Sequence, residues 1–247
     1  MAETRALYNT LAPMRNVTAF LTLVRRLENR GHGLPGMGCF YGPSGLGKTT
    51  ASVYVANEEQ ACVVQVKSVW TQKKLCQAIL AELGVHPAKV IGDMVDQIAE
   101  VLAREGVPLL IDEADFLVKK GMIEIVRDIY ESSFVPVILI GEELLPQKLR
   151  KWERVHGRIL SWVAAEPADD DDFDLLRRIR CPEVEIDAPL LAKMRTASGG
   201  SARRIVENLE LAREIAATRN LDRLTLEDWG RRDFFTGITP DARRISA

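Results

Sequence analysis

The feature that most constrains the fold is the eight-residue segment from Gly42 to Thr49, with the sequence Gly-Pro-Ser-Gly-Leu-Gly-Lys-Thr. It follows a short apolar run at 38–41 and opens a helical pattern that extends toward Asn57. Glycines in such a turn let backbone N–H groups point inward and approach a phosphate closely, where a Cβ would collide. The complete motif, placed between a strand and a helix, predicts a phosphate-binding loop.

Each side chain of this loop has an expected role. Lys48 is expected to reach the β- and γ-phosphates of a nucleotide, and the Thr49 hydroxyl is expected to complete the shell of a Mg²⁺ ion. The residues predicted to bind the nucleotide are Gly42, Pro43, Ser44, Gly45, Leu46, Gly47, Lys48, Thr49 and Thr50.

Short apolar runs alternate with helical patterns through the first part of the chain. The runs at 38–41, 61–66, 107–111 and 135–140 predict strands, and the apolar residues between them recur at helical spacing. This alternation is typical of a parallel sheet covered by helices. We therefore predict an α/β fold, a P-loop parallel sheet flanked by helices, over residues 1–165.

The composition changes after Trp162, where Ala-Ala-Glu-Pro-Ala precedes four aspartates at 169–172. Repulsion between the carboxylates favours solvent exposure, and aspartate is preferred at helix N-termini, so these residues predict a hinge and a helix start rather than a metal site. From Asp187 onward the pattern is helical, and Thr225 and Asp228 have the spacing of a capping box. Residues 166–247 are predicted to form a small all-helical subdomain with a C-terminal tail.

Composition narrows the class of protein. The 247 residues include 33 Lys and Arg against 35 Asp and Glu, and this balance argues against a wholly basic protein that coats nucleic acid. No apolar run approaches the roughly 20 residues of a membrane-spanning helix, and no secretory pattern opens the chain, so a cytoplasmic location without a membrane partner is expected, in the host cell if the protein is phage-encoded. The cysteines lack metal-binding spacing and are expected to be reduced core thiols: Cys39, Cys62, Cys76 and Cys181.

A second motif is an apolar strand that ends in two acids, Pro-Leu-Leu-Ile-Asp-Glu at 108–113. Asp112 at the strand tip is expected to hold Mg²⁺ through water, because a hard cation prefers carboxylate oxygen. Glu113 is expected to orient and polarise a water molecule that attacks the γ-phosphate. The two motifs therefore predict an NTPase that uses Mg²⁺, with Thr49 and Asp112 as metal ligands and Glu113 as a catalytic residue.

Residues 112–115 also spell Asp-Glu-Ala-Asp, the signature of a large helicase family. Such helicases need two recombinase-like domains and a longer chain, and no Ser-Ala-Thr follows the next strand. His156-Gly-Arg158 matches only a fragment of their arginine-rich motif. The helicase interpretation is therefore disfavoured.

From Asn16 to about Trp229 the chain resembles the AAA+ ATPases, and more closely the transposition ATPases typified by the phage Mu target-selection protein MuB and the related TnsC proteins. Besides the two motifs above, three segments carry the resemblance: Val-Pro-Val-Ile-Leu-Ile-Gly-Glu-Glu at 135–143, Arg-Val-His-Gly-Arg-Ile at 154–159, and Gly-Gly-Ser-Ala-Arg-Arg at 199–204. The resemblance implies an ATPase that uses ATP and Mg²⁺, with an AAA+ sheet followed by a helical lid.

The resemblance also implies roles for further residues. The fourth AAA+ strand usually ends in a polar sensor of the γ-phosphate, but here it ends at Gly141, so the first sensor is left without an assignment. Arg158, with Arg154 as the competing candidate, fits the arginine finger that a neighbouring subunit inserts. Arg203 fits the second sensor on the lid, ahead of Arg204.

A finger from a neighbouring protomer makes hydrolysis depend on assembly, so the resemblance implies a homo-oligomer, either a ring or a helical filament. Some side chains follow the second strand or the strand that ends in Asp112 and Glu113. They are expected to face the central channel of the oligomer and to bind double-stranded DNA without reading its sequence. A solvated helix face explains each lysine equally well. The candidates are Lys67, Thr71, Lys73, Lys74, Lys119 and Lys120.

The resulting hypothesis is an ATP-dependent DNA-binding regulator of transposition, which oligomerises on target DNA and recruits or activates a transposase. Because only a short segment precedes the first predicted strand, DNA binding is expected to depend on the ATPase domain itself. Two alternatives stay open: a helicase-loader-like AAA+ ATPase, and an ATP-dependent protein-interaction switch that does not touch DNA.

Overall fold

Five parallel strands form the central sheet, in the order β2-β3-β4-β1-β5. The structure is a computed structural model that describes residues 14–238. Within this range the sheet belongs to a first unit, Arg15–Glu166. The strands are β1 Met37–Tyr41, β2 Cys62–Gln65, β3 Leu109–Asp112, β4 Val137–Gly141 and β5 Ile159–Ala164.

Helices alternate with these strands, which confirms the predicted α/β fold. The helix α2 begins at Lys48, directly after the phosphate-loop motif. The helices of the first unit are α1 Arg15–Glu28, α2 Lys48–Glu58, α3 Gln72–Glu82, α4 Ile91–Glu105, α5 Asp115–Lys119, α6 Ile123–Ser133, α7 Leu145–Leu149 and α8 Glu153–His156.

The sheet is buried because its strands carry continuous apolar runs. Every residue of β3 and β4 is buried, as expected for a parallel sheet with helices on its faces. Helix α4 buries Met94, Ile98 and Leu102, which lie on one face at helical spacing. Burial of one such side chain stabilises the fold by about 1.5–3 kcal/mol. The core thus fixes the carboxyl ends of β1, β3 and β4 at a single edge of the sheet.

The fifth strand was missing from the sequence-based prediction, which had four. β5 pairs with β1 at the edge of the sheet, with Gly38 opposite Ser161 and Cys39 opposite Trp162. Its side chains are only partly buried toward the end of the strand. An edge strand with Ser161 and Trp162 at its centre lacks the continuous apolar run that identifies the buried strands, so its signal in the sequence is weak.

Among the described residues, the second unit comprises Met14 and the residues from Pro167 onward, and it is mainly helical. Asp169 is the N-cap of its first helix, and its carboxylate accepts a hydrogen bond of 2.9 Å from the Asp172 backbone N–H. The predicted capping box of Thr225 and Asp228 is also present. The helices are α9 Asp170–Arg180, α10 Ala188–Ser198, α11 Ala202–Arg219 and α12 Leu226–Trp229.

A two-residue parallel ladder also lies in this unit, between β6 Glu185–Ile186 and β7 Arg223–Leu224. The prediction of an all-helical lid did not include it, because a pair of two-residue strands is too short to show a period in the sequence. The predicted tail beyond residue 238 lies outside the described residues. Between residues 14 and 238 no helix combines the length and the apolar character needed to cross a membrane.

Candidate functional site

The Gly42–Thr49 loop joins β1 to α2 at the carboxyl edge of the sheet. Gly45 and Gly47 have φ angles of 89° and 83°, in the left-handed region that glycine adopts at no steric cost. The Lys48 ammonium donates hydrogen bonds of 2.7 Å to the Gly42 carbonyl and 2.8 Å to the Pro43 carbonyl. The lysine thus lies folded against its own loop.

Thr49 and Asp112, the two predicted metal ligands, are in direct contact. The Thr49 hydroxyl donates a hydrogen bond of 2.8 Å to Asp112 Oδ2. Asp112 is only 3% exposed, at the end of the buried strand β3. Gln65, at the end of β2, places its amide Nε2 at 3.5 Å from the same oxygen, a contact that the sequence motifs did not indicate.

Glu113 has an unusual backbone conformation, with a φ angle of 56°. Non-glycine residues rarely adopt this backbone region, so the conformation of Glu113 must be held by its surroundings. Here the Glu113 N–H donates a hydrogen bond of 2.8 Å to Asp112 Oδ1, which fixes the turn after β3. Burial, assisted by the negative charges of Asp112, Asp115 and Glu142, raises the pKa of the Glu113 carboxyl.

Lys48 lies among the same carboxylates. Partial burial lowers the pKa of the Lys48 ammonium, and the charges of nearby carboxylates oppose that shift. Those carboxylates are Asp112, Glu113, Asp115 and Glu142. The first two were predicted from the strand motif, whereas Asp115 and Glu142 reach this site through the fold.

These residues fit a nucleoside triphosphate with Mg²⁺. The positive φ angles at Gly45 and Gly47 allow the backbone to approach a phosphate closely, and the Lys48 ammonium is at the loop where phosphate charge would lie. Thr49 and Asp112 supply two adjacent oxygen atoms, which matches Mg²⁺, since that ion takes few protein ligands and completes its shell with phosphate and water.

Asn16, near the start of α1, fixes the loop from the other side. Its amide Nδ2 donates hydrogen bonds of 2.9 Å to the Leu46 carbonyl and 2.7 Å to the Glu166 carbonyl. Its Oδ1 accepts a bond of 2.9 Å from the Glu166 N–H. The side chain is buried. No sequence motif indicated this role, because the three residues are far apart in the chain.

The end of β4, where the first sensor had no assignment, holds an ion pair. The Asp115 carboxylate accepts hydrogen bonds of 2.7 Å from the Glu142 N–H and 2.6 Å from the Lys148 ammonium. Asp115 is 8% exposed. The Asp-Glu-Ala-Asp sequence was the only signal that singled out Asp115, and no motif pointed to Lys148.

Arg158 lies near the amino ends of the strands, whereas the phosphate loop lies at their carboxyl ends. Its backbone carbonyl accepts a hydrogen bond of 3.0 Å from the Met37 N–H at the start of β1, whereas the loop follows the end of β1. Its guanidinium makes an ion pair with Glu131, with distances of 2.6 and 2.9 Å. Arg154 is exposed on α8. Arg158 therefore does not lie at the nucleotide site of its own chain.

The predicted DNA-contacting residues come from two segments that meet in space. The Lys120 ammonium donates a hydrogen bond of 2.9 Å to the Trp70 carbonyl, which joins the segment after α5 to the segment after β2. We call this surface the basic patch. Its exposed members are Lys67, Thr71, Lys73, Lys74, Lys119 and Lys120.

Two patch residues have local structural contacts as well. The Thr71 hydroxyl is the N-cap of α3 and accepts a hydrogen bond of 3.3 Å from the Lys74 N–H, while the Lys73 ammonium donates one of 3.1 Å to the Lys89 carbonyl. The capping Thr71 hydroxyl keeps its own proton to donate to another group.

Arg203 and Arg204 lie in the first turn of α11, in the second unit. Arg203 is exposed and Arg204 is partly buried. Ser201 is the N-cap of this helix, which accounts for a short polar residue at this position of the motif. The role of Arg203 as second sensor stays a prediction.

Comparison with known proteins supports the same kind of domain. Residues 32–149 match a family described as an AAA domain. No curated protein matches the chain significantly. Together with the sheet and loop geometry, the family match indicates an AAA-type P-loop ATPase domain.

Several solved structures share the fold of most of this chain. Orc1 from Aeropyrum pernix, solved in complex with DNA, has a TM-score of 0.62 and 21% identity over 86% of this chain and 62% of its own. Cdc6p from Pyrobaculum aerophilum has a TM-score of 0.66 and 16% identity, over 90% of this chain and 68% of its own. RuvB from Thermotoga maritima, a Holliday junction branch migration motor, has a TM-score of 0.61 and 19% identity over 90% and 70%. This chain thus spans less than two thirds of the Orc1 chain, and the likeness is one of fold.

Proposed function

We propose that this AAA-type P-loop ATPase domain binds and hydrolyses ATP and that ATP drives its assembly on double-stranded DNA. In its finer form, the proposal is a regulator of DNA transposition that recruits or activates a transposase. The observation that carries DNA binding is the hydrogen bond from Lys120 to the Trp70 carbonyl, because it gathers the lysines of two separate segments into one surface.

The residues at the carboxyl edge of the sheet suit hydrolysis of a phosphoanhydride. Lys48 would neutralise phosphate charge from its place at the loop, and Thr49 and Asp112, which are in direct contact, would hold a Mg²⁺ ion. That ion, when bound, neutralises developing charge on the phosphate oxygens. Glu113, held in a fixed turn beside Asp112, accepts a hydrogen bond from the attacking water and orients it.

The place of Arg158 connects hydrolysis with assembly. β1 has five residues, so its two ends are separated by about 15 Å at the usual rise per residue. An arginine at the starting end of β1 does not reach the loop that follows its other end. If Arg158 stabilises transition-state charge, it does so at the nucleotide of a neighbouring protomer, and ATP then favours assembly.

The basic patch lies on the same unit as the nucleotide site, after β2 and after the acidic strand β3. Lysines contact phosphates without reading bases, so the expected binding is to any duplex sequence. A formal net charge of −2 does not exclude such binding, because an assembly repeats the local patch in every protomer.

The test of DNA binding compares two pairs of charge-removing substitutions. Lys67→Gln with Lys119→Gln removes one charge from each segment of the patch, and Arg104→Gln with Lys193→Gln removes two exposed charges that do not belong to it. With a nonspecific duplex and ATP, the patch pair is expected to weaken binding by about tenfold and to reduce the slope of affinity against salt by about 2, while the control pair stays within about twofold of the parent.

The same measurement separates the classes of function. A parent protein that binds no duplex at low salt, with ATP, with ADP or without nucleotide, contradicts the DNA proposal and supports the protein-interaction switch. Equal DNA binding by both pairs of variants would show that the basic patch is not the DNA-binding site.

The transposition part of the proposal has its own test. It predicts an integrase-type gene beside the gene for this chain, and ATP-dependent capture of that gene's product by the Glu113→Gln protein on DNA. A neighbouring replicative helicase gene, with capture of that helicase instead, supports the helicase-loader alternative.

A further inference from the structure

β4 ends beside the phosphate loop at Gly141, which has no side chain. The Gly141 carbonyl accepts a hydrogen bond of 3.3 Å from the Gly42 N–H, so this strand end lies against the first residue of the loop. A Cβ on residue 141 would collide with Asp115 Oδ2, and it would lie 2.6 Å from a Leu145 methyl group. The position that a polar side chain on β4 would occupy is therefore filled by the Asp115 carboxylate.

Asp115 in turn holds the Lys148 ammonium at this place. The hydrogen bond between them is 2.6 Å long, and the second carboxylate nearby, that of Glu142, is 3.6 Å from the same ammonium. The Asp115 side chain is 10% exposed, so the contact is shielded on the carboxylate side. A lysine ammonium has three donors, and Asp115 uses one of them.

A cation in addition to Lys48 and the proposed Mg²⁺ ion would offset part of the negative charge around this end of the sheet. Four carboxylates act on the Lys48 ammonium, namely Asp112, Glu113, Asp115 and Glu142. A nucleoside triphosphate adds more negative charge, and repulsion from these carboxylates disfavours its binding. Lys148 is in contact with two of the four carboxylates.

Lys148 and Glu113 also share one cavity of about 470 Å³. The cavity extends between α5 and α7, and both ions of the Asp115–Lys148 pair line it. Lys151 lines the same cavity, and within the described part of the chain it makes no ion pair. The two lysines therefore have the same charge and the same cavity but different anchoring.

We propose that Lys148, held by Asp115, contacts the terminal phosphate of the bound triphosphate and serves as the sensor that the strand end at Gly141 lacks. This inference rests on the proposed ATP binding and deepens it by assigning a residue. The ammonium keeps Asp115 as its anchor and uses a remaining donor for the phosphate. Lys148 then distinguishes a triphosphate from a diphosphate, whereas a purely structural ion pair would make no such distinction.

The test measures nucleotide affinity by isothermal titration calorimetry, with Mg²⁺ and either ATPγS or ADP, on the full chain. Lys148→Met is expected to weaken ATPγS binding by at least about tenfold and to leave ADP binding within about twofold of the parent. Lys148→Arg, which keeps the charge, is expected to stay within about threefold for both ligands. Lys151→Met, the matched control, is expected to leave both affinities unchanged.

Lys148→Met leaves the Asp115 carboxylate without its cation and can impair folding, which circular dichroism reveals. In that case Asp115→Asn with Lys148→Met removes both charges together, and the same selective loss of ATPγS affinity is expected. Equal losses for ATPγS and ADP, or no loss for either, overturn the assignment of Lys148.

Lys48→Ala in the same series separates this inference from the proposed function. If the parent binds neither nucleotide, the proposed function and the inference both fail. If the parent binds both nucleotides, Lys48→Ala loses both, and Lys148→Met keeps full ATPγS affinity, only the inference about Lys148 fails.

Discussion

Asn16 and Leu46 are joined by a hydrogen bond of 2.9 Å between the Asn16 amide and the Leu46 carbonyl. The same side chain makes two hydrogen bonds with the backbone of Glu166, so one buried amide fixes the phosphate loop between the start of α1 and the end of the first unit. The phosphate loop is thus held by tertiary contacts as well as by its own glycines.

Asn16→Ala is therefore expected to lower the free energy of unfolding by about 2–4 kcal/mol, because it leaves buried backbone groups without partners. Nucleotide affinity is expected to fall as well, since the loop loses a restraint. Urea unfolding measures the first effect and calorimetry the second. Asn29→Ala, which removes an exposed bond at the end of α1, is the matched control and should cost less than about 0.5 kcal/mol. Equal stability of the two variants would contradict the role of Asn16.

Gly141→Ala is expected to destabilise the domain by about 1–3 kcal/mol, since its Cβ collides with the Asp115 carboxylate. Displacement of Asp115 should also lower ATP hydrolysis. Gly92→Ala is the control, because Gly92 lies in the first turn of α4 with no neighbouring atom within 4 Å of an added Cβ. That change should leave stability equal or raise it by up to about 1 kcal/mol. A Gly141→Ala protein as stable as the parent would show that Asp115 moves freely.

The residues of the two motifs were predictable because their geometry is local. A loop directly after a buried strand leaves Gly42–Thr49 at the carboxyl edge of the sheet, and the same edge receives Asp112 and Glu113 from β3. Parallel strands bring their carboxyl ends together, so sequence order and strand direction suffice.

The contacts of Lys148 were not predictable in the same way. They depend on how α5 and α7 pack beside the end of β4, and neither helix carries a motif. The ion pair between Arg158 and Glu131 likewise joins α6 to the segment before β5. Such contacts arise from tertiary packing between segments that have no fixed spacing in the chain.

Lys48 and Glu113 are expected to separate nucleotide binding from hydrolysis. Lys48→Ala should abolish detectable ATP binding, because the loop loses its ammonium. Glu113→Gln should keep ATP affinity and slow hydrolysis by about 100-fold or more, since the amide no longer attracts the proton of the attacking water. Single-turnover hydrolysis and calorimetry measure the two effects, with Glu105→Gln as the control on an exposed glutamate. Hydrolysis at the parental rate by Glu113→Gln would show that another group orients the water.

The four cysteines are buried, as the sequence predicted, and they are expected to be unreactive in the folded protein. Burial raises the pKa of the Cys62 thiol to about 12 and those of Cys76 and Cys181 to about 11, and it raises the pKa of Cys39 further. With a pKa of about 11, only about one thiol in a thousand is a thiolate at pH 8. A thiol reagent such as DTNB should therefore titrate four groups in denaturant and react slowly without it. Fast reaction of one group in the native protein would contradict its burial.

Arg158 is expected to act across a subunit interface. Arg158→Ala should keep ATP binding and slow hydrolysis by a factor of about 10³ or more, because developing charge on the phosphate is no longer neutralised. Mixed with an equal amount of Lys48→Ala protein, it should recover up to about a quarter of the parental rate, since random assembly pairs an intact loop with an intact arginine at one interface in four. Arg154→Ala in the same mixture tests the competing candidate, and Arg104→Ala is the control on α4. Recovery with Arg154→Ala but not with Arg158→Ala would transfer the role to Arg154, and no recovery with either would contradict an arginine finger in this segment.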